Sequence, residues 1–179
     1  INTNPVKIYF GKEFREKGMD EEGFSGRDGR TTIFDYWTVD TIRRWRSGGK
    51  FDGKMLTKEE KKLQNFYSTL LNLCNKEKAI REGVFFDLTY ANLEGIVFNE
   101  HKQYAFFRKA GKELIFIIVN FDEKPAAPCV KIPTHAFDYL GIPFKESYKA
   151  KDLLTGNTET LVMAPDQCTQ VLLEAHGAK

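Results

Sequence analysis

Residues able to bind a ligand are concentrated in one stretch, GFSGRDGRTTIFDYW, at positions 23–37. Asp28 and Arg30 carry charges that strengthen hydrogen bonds to a partner, and Trp37 closes the stretch with a flat aromatic face. A polar loop that ends in aromatic residues is typical of sites for flat, hydroxyl-rich or charged ligands. The competing interpretation is that the aromatic block packs against a hydrophobic core while Asp28 and Arg30 form a salt bridge that orders the loop.

Metal and thiol chemistry have little support in the sequence. No histidine has a second ligand at helical or hairpin spacing, so we predict no metal site and no cofactor in this chain. The cysteines Cys74, Cys129 and Cys168 form an odd, widely spaced set. That spacing favours three buried free thiols over a disulfide framework.

The composition is that of an ordinary globular protein. Among 179 residues, 27 basic and 25 acidic side chains give a net charge of +2, too weak a field to attract nucleic acid or an anionic membrane. No apolar run is long enough to span a bilayer, and no signal peptide is recognisable. We therefore expect a soluble chain with neither nucleic acid nor membrane as a partner. Its location stays open.

The candidate loop lies between two elements that would position it. Residues 5–10, PVKIYF, predict a short strand, and residues 11–37 have no clear period and predict a long loop. A short amphipathic helix is predicted over about 38–47, ended by glycines.

A second helix, predicted over 58–76, has the clearest local signal. Thr57 and Glu60 have the spacing of a capping box, in which each side chain accepts a hydrogen bond from the other's backbone N–H. Apolar side chains then follow at helical spacing: Leu63, Phe66, Tyr67, Leu70, Leu71 and Cys74. Such a wide apolar face requires a large neighbour to pack against.

From Val84 onward the pattern changes to short strand-like runs separated by turn signals. The runs are Val84–Tyr90, Gln103–Arg108, Leu114–Phe121, Ala127–Ile132, Ser147–Asp152, Thr158–Met163 and Cys168–Glu174. Leu114–Val119 is apolar on both faces and is expected to be a central strand. The pattern predicts a mainly β fold, an antiparallel β-sandwich preceded by a small α/β part.

Several stretches resemble motifs of the α-amylase-type family 13 glycoside hydrolases. Residues 5–13, PVKIYFGKE, resemble the eighth strand of that family's (β/α)8 barrel, and residues 79–83, AIREG, resemble the exit of its last helix. Residues 106–109, FFRK, and 117–121, IIVNF, resemble strands of the family's domain C, and residues 152–156, DLLTG, resemble a hairpin there.

The resemblance implies two domains. Residues 1–82 would be the last strand-loop-helix unit of the catalytic barrel, and residues 83–179 the β-sandwich domain C. In that family an Asp nucleophile, a Glu acid/base and a further Asp follow strands four, five and seven, and they hydrolyse α-glucosidic bonds with retention. No carboxylate here matches those motifs. We carry over no catalytic residue and predict that the isolated chain is inactive.

The same resemblance implies a place for the candidate loop and a role for the chain. Loops after barrel strands border the active site, so Asp28, Arg30 and Trp37 become candidate substrate-binding residues of the intact enzyme. The chain would cap the barrel in an enzyme of starch or maltooligosaccharide hydrolysis. Its partners would be the rest of the barrel, α-glucan in the intact enzyme, and further copies of itself through uncovered surface. A calcium ion of the parent is not assignable to these residues, and a periplasmic or secreted parent is compatible with the sequence.

Two other interpretations stay open. The chain could be a non-catalytic carbohydrate-binding module that uses surface aromatic residues such as Tyr90, Tyr104, Tyr139 or Tyr148. It could also be one piece of a nicked but intact amylase, still bound to its other piece.

Overall fold

The computed structural model describes residues 7–8, 11–15, 40–93 and 97–179. The chain divides into two compact units, residues 2–72 and residues 73–179, and the boundary falls within a long helix. Two compact units do not establish which parent domain each one represents. The assignment of 1–82 to a barrel and 83–179 to a domain C therefore stays a prediction.

Among the described residues, the first unit contains α1 (Asp40–Arg46), most of α2 (Lys58–Lys76) and short 3-10 turns at Lys12–Phe14 and Ser47–Gly49. The Trp45 ring packs between Phe14 and Phe51, with centroid separations of 5.6 Å and 5.5 Å. Of the strand predicted over 5–10, only Lys7 and Ile8 are described, and neither is assigned to a strand.

α2 begins and ends at the residues that its capping box and apolar spacing predict. The backbone N–H of Glu60 donates to Thr57 Oγ1 at 3.2 Å, and the backbone N–H of Thr57 donates to Glu60 Oε2 at 2.8 Å. Arg44 of α1 donates to the same carboxylate, its Nε lying 3.1 Å from both oxygens. These bonds, that from Arg44 foremost, hold the pKa of the buried Glu60 below its ordinary value.

In the described part of the second unit there are seven antiparallel strands and two further helices. The strands are β1 (Val84–Asp87), β2 (Gln103–Ala110), β3 (Glu113–Asn120), β4 (Cys129–Lys131), β5 (Tyr148–Lys151), β6 (Thr158–Leu161) and β7 (Cys168–Gln170). The helices are α3 (Lys78–Glu82) and α4 (Thr134–Leu140). The strands form three sheets, β1-β2-β3, β4-β7 and β5-β6. The prediction of a mainly β fold of antiparallel strands is confirmed, and the described strands do not close into a barrel.

The largest sheet is centred on β2, not on β3 as its apolar character predicts. β2 pairs with β1 on one side and with β3 on the other. The outer edge of β3 bonds to the C-terminal segment: the Ile118 N–H donates to the Lys179 carbonyl at 2.9 Å, and the Asn120 N–H to the Gly177 carbonyl at 2.8 Å. This pairing covers the edge that a two-sided apolar strand would otherwise present to solvent.

One hydrophobic core joins all three sheets and α4. Its buried side chains include Leu88, Phe98, Phe107, Ile118, Val130, Ile132, Phe137, Leu140, Met163, Val171 and Leu173. Tyr148 of β5 and Leu161 of β6 pack against the same core. The three sheets therefore stabilise one another through shared apolar burial.

The prediction of three free thiols is wrong for two of them. Cys129 on β4 and Cys168 on β7 form a disulfide, with Cα atoms 5.3 Å apart, while Cys74 is free. The two cysteines are 39 positions apart in sequence. Only the antiparallel pairing of β4 with β7 makes them neighbours.

Candidate functional site

The substrate-binding residues predicted from the sequence, Asp28, Arg30 and Trp37, lie outside the described residues. Their role in an intact enzyme stays a prediction. Candidate sites in the described residues must therefore come from other side chains.

A group of ring side chains gathers on the surface of the second unit: Phe86, Tyr90, His135 and Tyr139. We call it the aromatic cluster. Phe86 lies near the end of β1, and Tyr90 lies in the 3-10 turn Thr89–Asn92 that follows. His135 and Tyr139 are four residues apart on α4, so they project from the same side of the helix.

Phe86 forms the floor of the aromatic cluster. Its ring centroid lies 6.4 Å from that of Tyr90, 5.4 Å from His135 and 5.9 Å from Tyr139. Phe86 also packs against the core below, while Tyr90 is 47% and Tyr139 66% exposed. The cluster thus combines an apolar base with outer rings that are open to solvent.

Polar atoms line the edge of the same cluster. The Tyr90 hydroxyl and His135 Nε2 share a hydrogen bond of 2.7 Å. Partial burial, and then the nearby charge of Asp87, raise the pKa of Tyr90, so its hydroxyl keeps its proton at neutral pH. A hydrogen bond from the Thr134 hydroxyl and the charges of Lys131 and His135 lower the pKa of Asp166, which stays ionised beside the cluster.

The two segments that carry the cluster are tied to the sheets beneath. Buried Asn92 donates from Nδ2 to the carbonyls of Leu88, at 2.7 Å, and Lys131, at 2.9 Å, and accepts from the Lys131 N–H at 2.7 Å. The turn that bears Tyr90 is thereby held against β4. α4 is anchored by its buried Ala136, Phe137 and Leu140. The rings are therefore positioned in advance of any ligand.

Two of the four cluster residues were named from the sequence and two were missed. Tyr90 and Tyr139 are brought together, but Tyr104 is not, because side chains alternate along β2 and place it on the sheet face opposite Phe86. Tyr148 packs against the core instead, and its hydroxyl donates to the Pro143 carbonyl. Phe86 had no local signal in the sequence. His135 had only its four-residue spacing from Tyr139.

Motif residues that carry the sequence resemblance turn out to fasten the fold. Buried Arg108 donates to the carbonyls of Ala79, at 3.1 Å, and Ile80, at 2.6 Å, and so joins α3 to β2. At Gly83 a Cβ would lie 2.2 Å from the Ala79 carbonyl oxygen and 2.8 Å from that of Lys109. Glycine is required there by the close approach of the two backbones.

Two further motifs, residues 117–121 and residues 152–156, set turns. Fully buried Asn120 donates from Nδ2 to the carbonyls of Lys124, at 2.8 Å, and Glu174, at 3.0 Å. Asp152 accepts from the Leu154 N–H at 2.9 Å and from the Thr155 hydroxyl at 2.6 Å, which shapes the turn between β5 and β6. The carboxylate and amide groups of these motifs are thus used within the chain.

Metal and membrane chemistry find no site in the part of the chain that the structure describes. There, no group of three or more His, Cys, Asp or Glu side chains is arranged to hold a metal ion. None of the helices described is both long and apolar enough to cross a bilayer.

Comparison with known proteins shows likenesses in fold. No protein family model matches the chain, and no curated protein matches it. AmyP, solved in complex with maltose, matches 69% of this chain at 20% identity and a TM-score of 0.48. An Anoxybacillus α-amylase matches 72% at 18% identity and a TM-score of 0.45. An isomaltulose synthase from Klebsiella sp. LX3 matches 88% at 16% identity and a TM-score of 0.44.

In structure, this chain is similar to α-amylase-type enzymes. The chain spans 21% of AmyP, 24% of the Anoxybacillus enzyme and 23% of the isomaltulose synthase. At this identity and overlap the likeness concerns the fold alone.

Proposed function

We propose that this chain is the C-terminal portion of an α-amylase-like enzyme that acts on α-glucan. In that enzyme it caps the catalytic barrel and supplies none of the catalytic carboxylates. Its partner is the rest of the barrel, contributed by the same parent polypeptide.

The observation that carries the proposal is the uncovered apolar stripe of α2. Phe66 is 45% and Leu71 50% exposed, and Glu60 is the one buried residue of this fully described helix. Leu63, Tyr67 and Leu70 of the same stripe are only half-buried. A helix with such a stripe normally packs it against a neighbour, and exposed apolar side chains along it favour an interaction surface.

The hydrogen-bonding of the acidic side chains supports a structural role. A retaining glycosidase needs two carboxyl groups about 5 Å apart, one with a raised pKa. Glu60 caps α2 and binds Arg44, Asp87 accepts from the Thr89 N–H, and Asp152 sets a turn. These carboxylates hold the chain in shape and leave the chemistry to residues elsewhere in the parent.

The test uses the chain and the polypeptide encoded immediately upstream of it. We expect the purified chain to release no reducing sugar from starch. The upstream polypeptide should contain an F-x-x-N-H-D-like motif, which is the pattern around the third Asp of the family that the chain resembles. It should also bind the chain, and the two together should hydrolyse starch. Activity of the chain alone, or an upstream sequence without barrel motifs, would overturn the proposal.

Substitution of a residue in the apolar stripe of α2 tests whether the stripe binds the upstream polypeptide. Phe66→Asp should weaken binding to the upstream polypeptide by at least about tenfold, because it places a charge in an apolar interface. Asn65→Asp is the control, since Asn65 lies on the opposite side of α2 and is exposed. Equal loss in both variants would argue against the stripe as the interface. Mass spectrometry of the purified sample would reveal a second polypeptide if the parent is a nicked enzyme.

A further inference from the structure

We propose that the aromatic cluster is a non-catalytic binding site for one or two glucose units of an α-glucan chain. The choice of α-glucan rests on the proposed function; the choice of an uncharged sugar rests on the cluster itself. Such a site would hold polysaccharide against the second unit.

The geometry suits a sugar ring. A pyranose presents C–H groups on its faces, which pack on aromatic rings, and hydroxyls around its edge, which need hydrogen-bonding partners. The rings of Tyr90 and Tyr139 lie 6.4 Å and 5.9 Å from the ring of Phe86, centroid to centroid, and both tyrosines are open to solvent. Rigid rings of this kind give contact area at a low cost in conformational entropy.

The edge of the cluster supplies both hydrogen-bonding roles. The Tyr90 hydroxyl donates and accepts, and the His135 imidazole carries one donor and one acceptor nitrogen when neutral. Their mutual bond of 2.7 Å fixes both groups before a ligand arrives. A sugar hydroxyl can then bond to the remaining donor and acceptor positions of Tyr90 and His135, and neither side chain has to move.

The surrounding charge disfavours anionic ligands. Asp87 acts electrostatically on Tyr90, and Asp166 lies within electrostatic range of His135. Lys131, a cation beside Asp166, is paired with that carboxylate at 3.8 Å. Phosphate groups of nucleotides or nucleic acids would be repelled, whereas a neutral sugar is indifferent to the two carboxylates.

The size of the cluster also disfavours a folded protein partner. A specific protein interface takes about 20–30 residues from each side. Four ring side chains, with charged residues beside them, cover far less than that. The cluster matches one or two sugar units instead.

Electrophoresis of the whole chain through gels with and without soluble starch measures the proposed binding. We expect starch to retard the wild-type chain. Tyr139→Ala should weaken the interaction by about tenfold or more, because it removes the most exposed stacking face. Tyr90→Phe keeps the ring and removes the hydroxyl, and it should weaken binding by a few-fold.

Phe144→Ala is the matched control, since Phe144 is 68% exposed and lies outside the cluster. It should bind starch as the wild type does, and thermal unfolding should show that all three variants are folded. Absence of retardation, or equal retardation of wild type and Tyr139→Ala, would overturn the proposal. A quaternary ammonium cation is the other ligand that a cluster of aromatic rings can bind. NMR resonances of the tyrosines and of histidine can follow binding of tetramethylammonium and of maltoheptaose. Binding of tetramethylammonium but not of maltoheptaose at the cluster would also overturn the proposal. Each of these results is independent of whether the upstream polypeptide restores hydrolysis.

Discussion

At the residue scale, single polar side chains decide how segments of this chain meet. Asn92 and Asn120 are buried, and the side-chain amide of each donates to one backbone carbonyl nearby in sequence and to one in a distant segment. Arg108 joins the end of α3 to β2 through Nε and Nη2. Because an unsatisfied buried polar group is costly, these residues select one arrangement of the segments.

Glu60 gives a prediction on pH at this scale. Its pKa is lowered in the folded chain, so its contribution to stability is complete above the ordinary glutamate pKa of about 4.3. That contribution is lost as the pH falls through the lower, folded-state value. Glu60→Gln should therefore be less stable than wild type near neutral pH, and the difference should shrink below about pH 4.

Urea unfolding of both proteins between neutral and acid pH measures this difference. Glu59→Gln is the control. Glu59 is exposed, and its ion pair with the exposed Arg15, at 3.7 Å, contributes little to stability. A Glu60→Gln penalty that is the same at every pH would contradict the role of the Arg44–Glu60 pair.

At the scale of elements, the β4-β7 ribbon is short and carries a covalent link. Each strand has three residues. The paired residues Val130 and Thr169 are the buried positions of the ribbon. Two such short strands bury little surface on their own. The Cys129–Cys168 disulfide compensates by restricting the unfolded chain between them.

Loss of that disulfide should therefore be felt in stability. We expect Cys129→Ser combined with Cys168→Ser to lower the free energy of unfolding by about 2–4 kcal/mol. Reduction of the wild type with dithiothreitol should have the same effect, and Cys74→Ser should have little. An unchanged denaturation midpoint after reduction would show that β4 and β7 are held by packing alone.

At the scale of the whole molecule, apolar surface is distributed unevenly. The second unit encloses a continuous core, whereas α2 has no buried apolar side chain and exposes Phe66 and Leu71. Exposed stripes of this kind draw chains together when no partner is present.

The isolated chain should consequently self-associate. Sedimentation equilibrium should show an average mass that rises with protein concentration, and Phe66→Asp should reduce that rise. Asn65→Asp should not. A wild-type chain that stays monomeric at high concentration would show that the stripe is too small to drive association.

The sequence by itself determined those elements whose signals are local. The capping box and apolar spacing defined α2 to the residue, because both depend on contacts within a few positions along the chain. All seven strand regions were also visible, since alternation and turn residues act over short distances. α4 was missed because its Thr134–Leu140 segment is too short for a helical period to show.

Only the tertiary structure decided which distant segments meet. The Cys129–Cys168 bond, the pairing of β3 with Gly177 and Lys179, and the approach of His135 to Phe86 all join residues far apart in sequence. Such contacts depend on the shared burial of apolar surface by three sheets and a helix, which no single segment encodes. For that reason two tyrosines of the aromatic cluster could be named from the sequence, while the cluster itself exists only in the fold.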